Sequence, residues 1–471
     1  MLTGADTSLA PGPAANDNYG TDLEMDLSGG PLGLRIGYYA VMHTGTGVGS
    51  VQVLDPNGEA KNRYFSTDLT YNDRVGPDLE VSGLFSYINR NSFLSEDFLR
   101  PGGLPFFPDG IFGDIKTRTR LFRGEGSLVW SGWRDHKVRL SAGAYETDVY
   151  DVEQHANALS QELPNGDFVT LPIGGIRALT EDEVAFPENS QRTVFGSLFD
   201  AWNFAPDWTF SAGLRFDDFE HIEGLSVTPR ASLVWDLASR TTMKLLYGRG
   251  FRPPTFLERL ARPTQGVFVG NPDLDPQKID TLEYQITNWG NRYRVGLNLF
   301  GYWLQDPIIG IGTRSRVSFE NGEQETGYGF ELEGAYLLTN HLKLIGNYAF
   351  RDTAEEVVNS IGAAPRHVIY GEARWEFLEH TFFDVNVKAV LDRERAEIDP
   401  RPPVDDYATV NITLRRTDIL NRFDIGLAVP NLFDSDNRDP SSDTGLSATT
   451  VSLADIPLAG RELWGELRFR F

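Results

Sequence analysis

Apolar and polar residues alternate one for one along most of this chain. At 208–217, Trp208, Phe210, Ala212, Leu214 and Phe216 interleave with Thr209, Ser211, Gly213, Arg215 and Asp217. At 293–303, Val295, Leu297, Leu299 and Trp303 oppose Arg294, Asn298 and Tyr302, and at 327–336 Tyr328, Phe330, Leu332 and Tyr336 oppose Glu331 and Glu333. At 407–415, Val410, Ile412 and Leu414 oppose Thr409, Asn411, Thr413 and Arg415. The C-terminus sets Leu463, Gly465, Leu467, Phe469 and Phe471 against Glu462, Trp464, Glu466, Arg468 and Arg470. Successive side chains of a strand point to opposite faces, so each run predicts a strand with one apolar and one polar face. A soluble sandwich with one buried face has the same period. These runs, however, are about 10–15 residues long, against about 5–6 for a typical soluble strand and about 9–11 for a tilted membrane strand. Aromatic residues also gather near their ends, as interfacial girdles do.

About nineteen strands are predicted, near 21–29, 33–43, 63–73, 78–92, 117–131, 136–149, 190–204, 207–221, 226–238, 241–250, 277–289, 292–306, 324–338, 341–354, 365–378, 380–393, 405–417, 421–433 and 460–471. Their connections alternate. Short turns such as Gly30–Leu32, Gly132–Asp135 and Asp418–Leu420 take turns with longer links at 44–62, 93–116, 150–189, 251–276, 307–323, 355–364, 394–404 and 434–459, the brief link at 222–225 being the exception. Outer-membrane barrels have short periplasmic turns and long extracellular loops, whereas a sandwich has no reason to sort them. The expectation is an all-β fold, a large antiparallel transmembrane β-barrel in the bacterial outer membrane. The last strand then descends and leaves Phe471 in the periplasm. Counting back, the first strand descends too, which places residues 1–20 outside the cell.

Composition agrees. Only 40% of residues are hydrophobic and mean hydropathy is -0.31. No stretch approaches the roughly 18 apolar residues of a membrane helix. A barrel needs apolar residues only at every second position. There is no cysteine, hence no disulfide and no thiolate metal site. A formal charge of -24 argues against nucleic acid as a partner, because phosphate binding needs a basic surface. Met1 is followed by Leu2, Thr3, Gly4, Ala5 and Asp6, with neither a basic region nor an apolar run, so this is no signal peptide.

Several segments resemble the TonB-dependent outer-membrane receptors. The run Leu246-Tyr247-Gly248-Arg249-Gly250-Phe251-Arg252-Pro253-Pro254-Thr255-Phe256-Leu257-Glu258 looks like that family's mid-barrel strand rising into a loop. Asn271-Pro272-Asp273-Leu274-Asp275-Pro276-Gln277-Lys278 resembles the following turn, with Glu283 in the next strand, and Gly327-Tyr328-Gly329-Phe330-Glu331-Leu332-Glu333 resembles a further family strand. Asn431-Leu432-Phe433-Asp434 resembles the penultimate strand's ending, and Pro457-Leu458-Ala459-Gly460-Arg461, running to a terminal aromatic, resembles the last strand. The resemblance spans roughly residues 63–471. It implies a 22-stranded barrel closed by an N-terminal plug that engages TonB; barrels of that size hold a plugged lumen. If the last strand here is the family's final one, the first here is its fourth, which also descends. The expectation is therefore an N-terminally truncated barrel. Residues 1–20 are read as an extracellular loop remnant and 21–471 as the barrel domain, without plug or signal peptide. A miscounted strand, near 21–29 or 308–319, is the alternative.

Candidate chemistry is sparse. The seven histidines (His43, His136, His155, His221, His341, His367 and His380) are scattered without ligand spacing. Asp273 and Asp275 lack the rest of a calcium loop, and Pro272 and Pro276 favour a turn. Ser141 and Ser211 have no histidine at a diagnostic spacing. Glu331 and Glu333 share a face, where lumen lining is a commoner role than acid–base work. The loop at 251–276 differs, because it carries Arg252, Phe256, Arg259, Arg262 and Phe268 in an acidic protein. Guanidinium groups beside aromatic rings suit an anionic or catecholate-type ligand. The plainer role for Arg252 is in the strand-to-loop structure.

The resemblance implies a receptor, not an enzyme, with no cofactor. It takes up a scarce nutrient of the ferric siderophore or cobalamin type, an extracellular metal chelate, with energy delivered by the TonB complex through a plug segment missing here. Other expected partners are the barrel assembly machinery, through the C-terminal strand ending in Phe471, and outer-membrane lipid and lipopolysaccharide. A passive diffusion porin is the alternative, and a soluble β-rich binding protein the third possibility.

Overall fold

The computed structural model describes residues 17–46, 57–99, 105, 107–264, 268–313, 316–355, 365–395, 402–440 and 455–470. In chain order the strands are β1 (Asn18–Gly29), β2 (Leu32–Gly45), β3 (Glu59–Arg74), β4 (Leu79–Leu99), β5 (Ile111–Trp130), β6 (His136–Glu162), β7 (Phe168–Ala178), β8 (Asn189–Ala205), β9 (Trp208–Phe219), β10 (Leu225–Ala238), β11 (Thr241–Arg252), β12 (Phe268–Val269) and β13 (Gln277–Trp289). They continue as β14 (Tyr293–Gln305), β15 (Ile308–Thr313), β16 (Arg316–Asn321), β17 (Glu325–Leu337), β18 (Leu342–Glu355), β19 (His367–Leu378), β20 (Thr381–Leu391), β21 (Tyr407–Ile419), β22 (Phe423–Val429), β23 (Arg438–Asp439), β24 (Ile456–Pro457) and β25 (Trp464–Phe469), with one short helix, α1 (Phe256–Leu260).

One sheet of 20 strands dominates. Nineteen of them, all but β7, form an antiparallel up-and-down meander in which each pairs with the next. The strand count and the order of turns and loops agree with the sequence pattern. Because the count is odd, β1 and β25 run in the same sense; among the described residues no ladder joins them. The reading of residues 1–20 as a loop remnant falls mostly on residues outside those described, and Asn18 to Gly20 are already part of β1.

The registers turn sequence alternation into two surfaces. Leu128, Leu140, Leu198 and Leu214 are successive cross-strand partners on β5, β6, β8 and β9, and Leu245, Tyr284, Leu299 and Phe330 are partners on β11, β13, β14 and β17. These rows face outward: Leu140 is 53% exposed and Leu299 44%. The intervening positions form a polar inner row in which Lys244, Gln285, Asn298 and Glu331 are partners. Glu331 and Glu333 thus stand in the inner wall, in a hollow of about 470 Å³ shared with Lys244 and Arg294. A continuous apolar exterior of this size suits hydrocarbon and not water. No helix among the described residues is long and apolar enough to cross a membrane.

At the short-turn rim, aromatic side chains form a belt. Trp130, Trp133, His136, Trp202, Phe204, Trp208 and Trp235 follow one another with ring centroids 4.6 to 6.3 Å apart. Rings of this kind place an apolar body and a polar edge at a membrane interface.

The opposite rim corrects the expected loops. β4, β5 and β6 extend well past the segments 78–92, 117–131 and 136–149. The link at 150–189 is largely a hairpin of β6 with β7, the link at 307–323 is a hairpin of β15 with β16, and 251–276 contains α1. On the outward side of these extensions Lys116, Arg118 and Arg120 meet Glu153, Asp151 and Asp148 at 2.7, 3.2 and 2.7 Å. Both faces meet water there, so the alternation that marks a membrane strand disappears while the ladder continues. A small core of Leu99, Phe107, Ile111 and Ala158 supports the extension.

The two faces predict opposite tolerances. Leu299→Arg, mid-strand on the outer row, should lower folding stability in lipid by about 2–4 kcal/mol, whereas Gln285→Arg on the inner row should cost no more than about 1 kcal/mol. Urea titration of protein folded into phospholipid vesicles measures both; equal costs would contradict this assignment of faces.

Candidate functional site

The loop after β11 is built by its own side chains. Pro253 and Pro254 lack N–H donors and end the ladder. Thr255 then caps α1: its Oγ1 accepts from the Glu258 N–H at 3.2 Å, while the Glu258 carboxylate accepts from the Thr255 N–H at 2.7 Å. This reciprocal capping box satisfies two donors that a helix start leaves free. Five residues are too few for a helix to hold by propensity alone. Arg252 fixes it further, donating through Nη1 and Nη2 to the two Glu258 oxygens at 2.8 and 2.9 Å and through Nε to Gln277. Burial opposes the Glu258 charge, but Arg252 and the Thr255 N–H outweigh it and hold the carboxyl below its usual range.

Beyond α1 the chain is stitched to the β7–β8 link. Arg262 accepts this role twice over, its N–H donating to Ala185 O at 2.7 Å and its Nη1 to Glu181 O at 2.6 Å. Thr264 Oγ1 donates to Glu183 O at 2.7 Å, and the Ser160 N–H donates to Thr264 O at 2.7 Å. Arg177, near the end of β7, clasps Glu183 of that link at 2.7 and 2.8 Å. Arg177 and the Thr180 N–H hold the Glu183 carboxyl far below its ordinary range, at about 2. Gly270 passes so close to α1 that a Cβ there would lie 2.5 Å from backbone atoms of Arg259, Leu260 and Ala261. Phe268, half exposed, stacks on Phe319 at 6.1 Å, and β12 pairs in parallel with β16. Arg316 joins the β15–β16 hairpin to the β6–β7 hairpin by donating to Gly166 O at 2.9 Å.

The five loop residues singled out by sequence therefore have separate fates. Arg252 is committed to Glu258 and Gln277, Arg262 to the neighbouring link, and Phe268 to Phe319. Phe256 opens α1 and is partly buried. Arg259 is 7% exposed, and its Nε and Nη1 have no hydrogen-bond partner. Burial alone pulls its pKa down, with no carboxylate opposing. The stitching residues Arg177, Glu183, Thr264 and Arg316 went unnoticed in the sequence, because nothing in it pairs distant loops. The Thr255…Glu258 spacing was a legible signal. Asp273 and Asp275 sit in a turn, their N–H groups bonded to Asn271 and Asn321 side chains. Among the described residues no group of three or more histidine or acidic side chains is placed to hold a metal.

Two outcomes follow. A double-mutant cycle with Arg252→Ala and Glu258→Ala should give a coupling of about 1 kcal/mol by urea titration, and none if the fork is incidental. The folded pKa of Glu183 lies below its value of 4.5 in the unfolded chain, so its contribution is complete above pH 4.5 and fades as pH falls toward about 2. Pepsin should therefore spare the 163–188 segment of the wild type at pH 4 and cut it near pH 2, while Glu183→Ala is cut at both; equal cutting of wild type and variant at pH 4 would disprove the clasp.

Comparison with known proteins agrees with this architecture. A family described as "TonB dependent receptor-like, beta-barrel" matches residues 5–432. No curated protein sequence matches the chain. Among solved structures, the copper transporter OprC is similar with a TM-score of 0.73 at 14% identity, covering 97% of this chain and 74% of that one. The R480A mutant of the ferric enterobactin receptor PfeA from Pseudomonas aeruginosa, in complex with enterobactin, gives 0.69 at 16% identity, covering 99% and 73%. The ferric-catecholate import receptor Fiu from K12 E. coli gives 0.68 at 13%, covering 97% and 76%. At such identities the structures establish the fold, and the sequence family carries the membership. The chain belongs to the TonB-dependent receptors, as their β-barrel domain.

Proposed function

We propose that this chain is the barrel wall of an outer-membrane receptor that imports a scarce nutrient as a metal chelate, of the ferric siderophore or cobalamin type, driven through TonB. The observation that carries this reading is the sidedness of the wall. An apolar exterior and a polar interior mark the meander from the short-turn rim up to the charged extensions, and the stitched hairpins, α1 and the three-stranded sheet of β12, β16 and β15 all stand on the long-loop rim. Such a rim is where a ligand arriving from outside is first held. The structural neighbours whose names mention copper or ferric catecholates support a metal-bearing ligand.

TonB engages the receptor through the plug that the family implies. An antiparallel closure between β1 and β25 takes an odd number of further strands, because these two run in the same sense. The C-terminal strand is the segment offered to the barrel assembly machinery, and the outward rows meet lipid and lipopolysaccharide.

Cells dependent on the complete receptor should accumulate a radiolabelled ferric siderophore or cobalamin, and deleting TonB should abolish that uptake. Uptake that persists without TonB, together with a steady ohmic conductance in planar bilayers, would replace this reading with a passive porin.

A further inference from the structure

We infer that Arg259 is the anion anchor of this receptor, so that its ligand is a chelate presenting oxyanion groups and net negative charge. The inference rests on the receptor reading above and narrows it, because a neutral corrinoid or a cationic chelate has nothing to offer a buried guanidinium.

The argument begins with a contrast. Arg259 and Arg393 are the two buried arginines among the described residues. Arg393 donates to the carbonyls of Arg438 and Asp405 and lies 3.3 Å from the Asp439 carboxylate. Its Nε too lacks a partner, but Nη1 and Nη2 are engaged and a carboxylate stands beside it, so most of its burial is compensated. Arg259 is as deeply enclosed, yet Nε and Nη1 find no acceptor, and no carboxylate among the described residues acts on it. The carboxylate next to it in sequence is unavailable. Glu258 Oε1 accepts from Arg252, and Oε2 from both Arg252 and the Thr255 N–H. That commitment is structural, since the same bonds cap α1. The loop therefore spends its one adjacent acid on Arg252 and leaves Arg259 bare.

A buried cation without a counter-charge is among the most costly arrangements a fold can keep, because desolvation is uncompensated. Replacing such a group by an apolar side chain of similar length ordinarily stabilises a protein. Its retention in a loop tied rigidly at both ends, by Arg252–Glu258 before it and by Arg262 and Thr264 after it, makes sense if the missing anion arrives from outside. Guanidinium has five N–H donors in a fixed fork matched to carboxylate-like oxygen pairs. In a desolvated setting each charge-assisted bond counts for more than at the surface. Phe268 and Phe319, stacked and partly open to solvent on the strand pair beside this loop, offer an aromatic face to a planar oxygen-bearing ring.

The test uses the full chain, purified in detergent, with three probes of different charge: an anionic ferric tris-catecholate, a cationic ferric tris-hydroxamate and neutral cobalamin. The expected result is preferential binding of the tris-catecholate, weakened at least 10-fold in Arg259→Met, together with a higher melting temperature for the unliganded variant than for the unliganded wild type. Arg259→Lys, which keeps charge without the fork, should fall between them. Unchanged tris-catecholate affinity in Arg259→Met, or a variant that melts lower or fails to fold, would overturn the proposal by showing that Arg259 has a structural partner. Wild-type binding of only the cationic or the neutral probe would overturn it too, while leaving nutrient uptake standing. Binding of none of the three would count against the uptake reading itself.

Discussion

Everything in this fold depends on the need to pair each main-chain N–H and C=O within the sheet wherever the surroundings supply no partner. In hydrocarbon an unpaired peptide group costs several kcal/mol. A strand meets the requirement only through neighbours on both sides, so the chain must keep adding antiparallel partners. Nineteen consecutive strands, each laddered to the next, are the result among the described residues. The side chains are then free of any duty except to suit the medium they face. Leucine and aromatic residues serve outside, and lysine, glutamine, asparagine and glutamate serve within.

Where the wall rises out of lipid the constraint relaxes, and the architecture changes with it. Outward positions become charged and pair across strands, as Lys116, Arg118 and Arg120 do. The chain can now afford irregular backbone, and it is side-chain hydrogen bonds that organise it. Arg252 and Glu258 hold α1, Arg262 and Thr264 bind it to the β7–β8 link, and Arg316 joins two hairpins. These contacts are individually modest. Together they make a rigid rim from separate loops, which is what a surface needs in order to present a fixed constellation to a ligand.

Arg259 is the exception within that rim. Every neighbouring polar group that holds the loop in place has its partner inside the protein, whereas this guanidinium does not. Functional sites are where a fold tolerates a local violation of its own rules. A violation enclosed by satisfied bonds is informative in a way that an exposed charge is not.

The sequence by itself determined the wall. Period-two alternation is a direct imprint of lipid on one face and water on the other, so strand number, facing and loop order were all legible. Leu299 outside and Asn298 inside needed no coordinates. Legibility ended where lipid ended. The upper halves of β4 to β6 and the β15–β16 hairpin face water on both sides and carry no such imprint. The candidate site was half legible. Its residue types were visible in 251–276, but which arginines were already engaged was not, since Arg252 is claimed by a residue six positions on and Arg262 by one eighty-one positions away. Only tertiary structure decides that, because a guanidinium's availability depends on the acceptors that distant segments bring to it.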